Sequence, residues 1–344
     1  MAQPPVTDER LAEIVAVWRE TCCNISETKR RLGYAQGISV RRHIRTAIER
    51  GMIEPMDYQG ETVKPMAAEI QTIRAKRIAE FEAKKRKGDW RKPVFRDMGP
   101  EPFSVTVLGD PHLDNPGTNL EEWERYWFAL NPAERRFAVC VGDYFDNWVR
   151  ALGHLYAEAS TTPSEAFALF EHYLTARPGA LIGSCAGNHD EWRDEPSLLS
   201  YVMRRYGVPH RNGAIRLAWG CGERTLTCAI RHKWRGQSQY SAAHGIVRGA
   251  EWNDDHLLIG GHIHQDEDRR VIHAATGRIQ LCVQVSAFKE LDHYADVHGF
   301  RPRRIAPARV LVIDPRVPET DPDMIAAFVC PERAADHLDN LRCE

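Results

Sequence analysis

The chain has 344 residues, 43% hydrophobic and 27% charged, enough for a large core plus an appendage and unlike the composition of a disordered chain. No run approaches about 18 apolar residues, MAQPPVTDER is not a basic start followed by an apolar run, and the nine cysteines are scattered without a CxxC pair, which argues against a membrane span, a secretion signal and a disulfide framework, and predicts a cytoplasmic location with reduced thiols. The net charge of −2 hides a split: residues 1–96 hold 20 Lys and Arg against 13 Asp and Glu, a net of +7, while the remainder carries −9, so the first part is expected to meet a polyanion.

Asp8 to Thr21 places Leu11, Ile14, Val15 and Trp18 at helical spacing and predicts an amphipathic helix. Ser26 is a candidate N-cap for a short helix, ETKRRLG, closed by Gly33; Ser39 can cap a third, VRRHIRTAIERG, with Val40, Ile44 and Ile48 inward. A short helix, a tight turn and a helix with Arg41, Arg42, His43 and Arg45 outward resembles a helix-turn-helix DNA-binding module. That resemblance implies that Arg41, Arg42 and Arg45 contact phosphates or guanine edges, with Thr28 to Arg31 near the DNA backbone. The plain alternative is a three-helix bundle whose basic residues are only solvated. From Gly60 to Pro93 the composition shifts to a helix, with Met66, Ile70, Ile73 and Phe81 on one face and KKRK at its end, read as a spacer or a basic arm. The predicted domains are 1–58, a helix-turn-helix; 59–98, a basic helical linker; and 99–344, an α/β domain.

In the third domain apolar runs repeatedly stop at glycine and then present ligand-type residues. SVTVLGDPH delivers Asp110 and His112; AVCVGDYFDN delivers Asp143, Asp146 and Asn147; ALIGSCAGNHD delivers Asn188, His189 and Asp190; HLLIGGHIH delivers His262 and His264. TLTCAIRH ends on His232, with His244 near enough to compete; the strand-like alternation favours His232. Aspartate, asparagine and neutral imidazole suit manganese, iron, zinc or magnesium, and no cysteine stands among them to suggest a structural zinc site. A central carboxylate can bridge two ions roughly 3.5–4 Å apart, the spacing of a two-metal clamp on a phosphoryl group.

The set D-x-H, GD-x-x-DN, GNHD, H and GH-x-H resembles the calcineurin-like metallophosphoesterase superfamily. The resemblance implies a four-layer α/β sandwich, two central sheets flanked by helices, and two divalent ions, Mn2+ first among them. It implies that Asp110, His112 and His264 hold one ion, that Asn188, His232 and His262 hold the second, and that Asp143 lies between. His189 would protonate the leaving oxygen, with Asp146 orienting its imidazole. Where the protein-phosphatase branch has an arginine after GD-x-x-D, this chain has Asn147, which favours phosphodiesterases and nucleases.

Around these motifs, Trp123, Tyr126, Trp127 and Leu130 fall at core spacing, and Thr162, Pro163 and Glu165 make a strong helix start. Lys233, Trp234, Arg235 and Tyr240, next to His232, are read as a nucleotide grip or a surface loop. His154, His172, Lys289, Asp292 and Tyr294 are possible rim residues. A hairpin around Gly277, a strand ARVLVID and a closing helix from Glu332 to Asn340 complete the chain. A DNA-binding module joined to a phosphoesterase resembles phage-encoded fusions and predicts a nuclease or nucleic-acid phosphodiesterase; a small-molecule or protein phosphatase and a DNA-binding regulator with a non-catalytic metal domain are the alternatives.

Overall fold

The computed structural model describes residues 6–21, 24–35, 37–53, 67–87, 91–147, 161–190, 198–238, 240–291 and 306–343. The chain divides into two compact units, Met1–Arg86 and Lys87–Glu344.

The first unit packs three helices, α1 (Asp8–Glu20), α2 (Ile25–Arg31) and α3 (Gly37–Glu49), around Leu11, Ile14, Val15, Trp18, Val40, Ile44 and Ala47. Two local expectations change. Asn24 rather than Ser26 caps α2, its Oδ1 accepting the amides of Ser26 and Glu27, because its side chain reaches two free amides at once. The third helix starts at Gly37, two residues ahead of Ser39. Thr28 is fully buried, its hydroxyl 2.6 Å from that of Thr21, so it braces α2 against α1 and cannot touch DNA. Arg41, Arg42 and Arg45 lie on α3, with Arg41, Arg42 and Arg45 all outside its buried face. A fourth helix, α4 (Ala67–Lys87), leaves Ile70, Ile73 and Phe81 exposed.

The second unit is an α/β sandwich of two six-stranded mixed sheets flanked by helices. Its elements in order are β1 (Val94–Asp97), β2 (Phe103–Leu108), α5 (Leu120–Phe128), β3 (Arg136–Cys140), α6 (Pro163–Ala176), β4 (Leu181–Ala186), α7 (Leu198–Arg205), β5 (His210–Asn212), β6 (Ala214–Cys221), β7 (Arg224–Arg231), α8 (His244–Ala250), β8 (Leu257–Gly260), β9 (Glu267–Ile272), β10 (Ile279–Gln284), β11 (Ala308–Ile313), β12 (Ile325–Phe328) and α9 (Pro331–Cys343). One sheet runs β12-β11-β2-β3-β4-β5 and the other β1-β6-β7-β8-β10-β9. Strand β1 falls inside the segment expected to be a helical linker; it pairs in parallel with β6, Val94 opposite Leu217, as the edge of the second sheet.

The period-2 alternation of the central strands builds the layers. Ala138 and Cys140 of β3 face outward to Trp123, Trp127, Phe170 and Tyr173, whereas Val139 faces inward to the other sheet. Between the sheets Val105, Val107, Val139 and Ile182 meet Leu217, Trp219, Ile230, Ile259 and Val283. Helix α8 covers the second sheet's outer face through Ile246 and Ala250. Strands β2, β3 and β4 are parallel, and so are β7 and β8, so the runs that carry the ligand motifs end at one edge of the sandwich. The Thr162–Glu165 capping box starts α6 as its sequence predicts, and the aromatics of α5 are core.

Candidate metal centre

Each sequence-predicted ligand follows the C-terminal end of a strand: Asp110 and His112 after β2, Asp143 after β3, Asn188 after β4, His232 after β7, His262 and His264 after β8. The structure brings them into contiguous groups. Asp110, His112 and His264 offer ligand atoms within 4.8 Å of one another, and so do Asp143, His232 and His262. His232 Nε2 stands 3.1 Å from Asn188 Oδ1, 3.1 Å from Asp143 Oδ2 and 3.2 Å from His262 Nδ1. His264 Nε2 is 3.5 Å from Asp110 Oδ2. His244 opens α8 and joins none of these groups among the described residues.

The backbone is bent to make this meeting. Six described residues other than glycine have left-handed φ, and five are here: His112, Asp143, Asn147, His262 and His264. Such conformations cost energy and persist where surrounding structure enforces them. Gly142 has φ +105°, and a Cβ there would fall 2.3 Å from the amide nitrogen of Gly187; a Cβ on Gly187 would fall 2.0 Å from Asp143 Oδ1. The glycines that punctuate the two motifs therefore let their loops cross in contact.

The site is dense in buried carboxylates: Asp110, Asp114, Asp143, Asp146 and Asp190. Burial would raise Asp143 and Asp146, but the neighbouring imidazoles, His232 for the first and His112 for the second, hold both well below the ordinary carboxylate range. Burial would likewise lower His112 and His232, yet Asp146 raises the first to about 9, and Asp143 with Asp110 raises the second to about 9. Protons are drawn onto these imidazoles because they are the positive charges nearest to so many buried carboxylates. Asp110 Oδ1 and His112 Nε2 are buried with no hydrogen-bond partner. An oxygen- and nitrogen-rich donor set, an excess of negative charge and unsatisfied buried donor atoms fit divalent cations. His232 Nδ1 donates to the Val141 carbonyl at 2.9 Å, which leaves Nε2 as the ligand atom.

Asp146 does something other than expected. Its carboxylate is turned to His112, with Oδ1 2.7 Å from Nδ1, an ionic contact rather than an aligned hydrogen bond, and Asn115 donates to its other oxygen. His189 is held instead by the Asp146 backbone carbonyl, 2.6 Å from Nδ1, with Nε2 3.9 Å from Asp143 Oδ2. The imidazole of His112, lying between, intercepts the carboxylate; its ring centroid is 5.2 Å from that of His189.

Four residues support the ligands. Asp190, which follows Asn188 and His189 in its motif, accepts three backbone amides: Asp143 at 2.8 Å, Tyr144 at 3.0 Å and Gly187 at 2.8 Å. Asp114 accepts the Asp146 amide at 2.7 Å. Lys289 is buried with Nζ 3.7 Å from Asp146 Oδ1, and Arg309 pairs with Asp266 and Asp268 to tie the first sheet to the chain just after His264. Asp114 and Asn115 stand in D-x-H-x-DN and Asp190 ends GNHD, so motif proximity was the available signal for those; Lys289 and Arg309 carry none. Trp234 is core, its indole donating to the Ile259 carbonyl, so it does not grip a ligand. His172 is on α6; His154, Asp292 and Tyr294 lie outside the described residues. No described helix is long and apolar enough to cross a membrane.

No protein-family model matches the chain, and no curated protein matches it. Among solved structures it is similar to Vps29 of Chaetomium thermophilum (13% identity, 66% of this chain and 96% of that one, TM-score 0.34). It is also similar to an archaeal phosphodiesterase (14%, 66% and 99%, 0.36) and to the nuclease MPE of Pseudomonas putida (13%, 65% and 87%, 0.31). At such distances the chemistry has to be read from the residues themselves.

Proposed function

We propose that the chain is a divalent-metal-dependent phosphodiesterase whose substrate is DNA. The observation that supports this reading above others is the convergence of seven ligand-type side chains from both sheets on one strand-end edge, with buried donor atoms left unsatisfied. Asp110, His112 and His264 would hold one ion and Asn188, His232 and His262 a second, with Asp143 shared; Mn2+ suits this donor set, and such ions, when bound, supply Lewis-acid charge to the phosphoryl oxygens.

The chain's own residues do the rest. His189 commits Nδ1 to the Asp146 carbonyl and so presents Nε2 as the atom from which a proton passes to the leaving oxygen. Burial lowers this imidazole's proton affinity, and a phosphodiester anion arriving beside it favours the protonated, donating form. Asp190 and Asp114 fix the backbone that carries Asp143 and Asp146. Asn147 stands where the resembled protein-phosphatase branch has an arginine, and its neutral side chain offers no charge to grip a phosphomonoester, which favours the diester.

DNA as the substrate is supported by the first unit, where a short helix and a turn precede a helix whose Arg41, Arg42 and Arg45 point away from the buried Val40, Ile44 and Ala47. The test is hydrolysis by Mn2+-loaded protein of a bis-aryl phosphodiester, an aryl phosphomonoester, and single- and double-stranded DNA, with Asp143→Asn as the blank. Turnover of diester and DNA is expected. Turnover of the monoester alone would make the chain a phosphatase.

A further inference from the structure

The loop that leaves β7 after His232 is a built surface. Trp234 anchors one end, its indole donating to the Ile259 carbonyl at 2.8 Å and its ring packed beneath α8. Glu267 anchors the other, accepting from the Ser241 hydroxyl at 2.8 Å and the Ala243 amide at 2.9 Å. Lys233, just before the first anchor, and Arg235 and Tyr240, between the two, are exposed, Tyr240 by 85%. Arg248 on α8 joins them: a Cβ on Gly236 would lie 3.9 Å from its Cδ.

Several arginines elsewhere on this unit are ion-paired, such as Arg125 with Glu332, Arg216 with Asp255 and Arg309 with Asp266, and others, such as Arg135, Arg224 and Arg270, donate to backbone carbonyls. Lys233, Arg235 and Arg248 take part in no ion pair among the described residues. Three exposed cations on one loop and the helix that follows it, in an otherwise acidic unit, leave positive charge that an anion neutralises. The row begins at the metal centre, since Lys233 directly follows His232 and acts electrostatically on His262. Arg235 lies two residues on, at most about 7 Å along the chain.

We propose that Lys233, Arg235 and Arg248 form a rim that holds the phosphates of a single-stranded DNA segment flanking the scissile linkage, with Tyr240 as a stacking face for one of its bases. This rests on the phosphodiesterase reading above and adds the path of the strand. Cations on a pinned loop track a backbone without selecting sequence, and one exposed aromatic accepts any base. The rim thus serves cleavage of single strands, separately from whatever duplex the first unit engages.

The test compares kcat/KM on a bis-aryl phosphodiester with kcat/KM on single-stranded oligonucleotides of two, four and six nucleotides, too short to engage a duplex-reading helix. The proteins are full-length, Mn2+-loaded wild type, Arg235→Ala/Arg248→Ala, Arg235→Lys/Arg248→Lys and Tyr240→Ala. In wild type the rate should rise with each flanking nucleotide. In the double alanine variant the ratio of hexanucleotide to bis-aryl rate should fall about tenfold, and the slope of log(kcat/KM) against log[salt] should flatten by about 1.4, for two lost single-strand phosphate contacts. The double lysine variant should keep most of both, and Tyr240→Ala should lower the ratio without changing the slope. An unchanged ratio and slope in the alanine variant would overturn the rim. Wild-type turnover of the diester with no gain from flanking nucleotides would overturn the rim alone and leave the phosphodiesterase standing; turnover of neither substrate would remove both.

Discussion

The carboxylate of Asp190 accepts the backbone amide of Asp143, 2.8 Å from Oδ2, while its other oxygen accepts the next amide, that of Tyr144, at 3.0 Å. The residue proposed to be shared by the two ions is thus held by its main chain from a loop 47 positions away. Asp143 has φ +52°, and Asp190 is part of what keeps it there.

Asp190→Asn leaves one oxygen to accept and turns a donor toward the amides that Asp190 now satisfies. It should lower stability of the metal-free protein by about 1–3 kcal/mol and weaken Mn2+ binding more than Asn substitution of an exposed aspartate does. Urea midpoints and titration calorimetry read the two effects. Wild-type values in both would show that the amides are held without Asp190.

Lys289 should matter to metal affinity without touching a metal. Its ammonium faces the carboxylate that contacts His112, so Lys289→Met leaves Asp146 free to swing away from that imidazole. Outer contacts of this kind are worth roughly 10–100-fold in affinity. Calorimetry with Mn2+ should show one of two sites weakened by that amount and the other unchanged, with Lys289→Arg recovering part of the loss.

His189→Ala should leave Mn2+ stoichiometry at the wild-type value and slow hydrolysis by about 10²–10⁴ for a poor leaving group. The loss should shrink on an activated aryl diester, whose leaving oxygen needs no proton. Equal losses on both substrates would take the proton-donor role from His189.

His210 links stability to pH away from the metal centre. Burial lowers its imidazole to about 4, with Nδ1 3.1 Å from the Ser184 hydroxyl and Nε2 buried without a hydrogen-bond partner. In the unfolded chain it titrates near 6.5, so as pH falls below about 6.5 the unfolded state takes up the proton first. Stability is present in full above that pH and is lost progressively as pH falls toward 4. Between pH 7 and 5 this amounts to about 2 kcal/mol. In chelator, His210→Gln should lose correspondingly less than wild type over that interval, by urea denaturation at each pH.

Replacing Arg41, Arg42 and Arg45 by alanine should weaken duplex DNA binding and flatten its salt dependence by about 2–3 in log–log slope, since each phosphate contact contributes about 0.9. Fluorescence anisotropy at several salt concentrations measures this. A slope equal to wild type would mean that α3 does not meet the phosphates.

What the sequence determined by itself is whatever depends on neighbours along the chain. A glycine after an apolar run ends the strand and frees the backbone to turn, so the apolar runs and their glycines were enough to assign Asp110, Asp143, Asn188 and His262 to strand ends, and alternation alone did the same for His232. The Thr162–Glu165 capping box could be placed to the residue, because all its hydrogen bonds lie within one turn. Tertiary structure alone decided which partner each side chain takes. Asp146 could orient His189 by spacing, but the packing of β2 beside β3 puts His112 within 2.7 Å of its carboxylate. Lys289 enters from a segment after β10, β1 is a strand only because β6 offers an edge, and Trp234 is core because α8 folds over it. Most of these contacts join residues far apart in the chain, and no local pattern encodes them because the energy that selects them, desolvation and ion pairing in a shared interior, exists only once the sheets have closed.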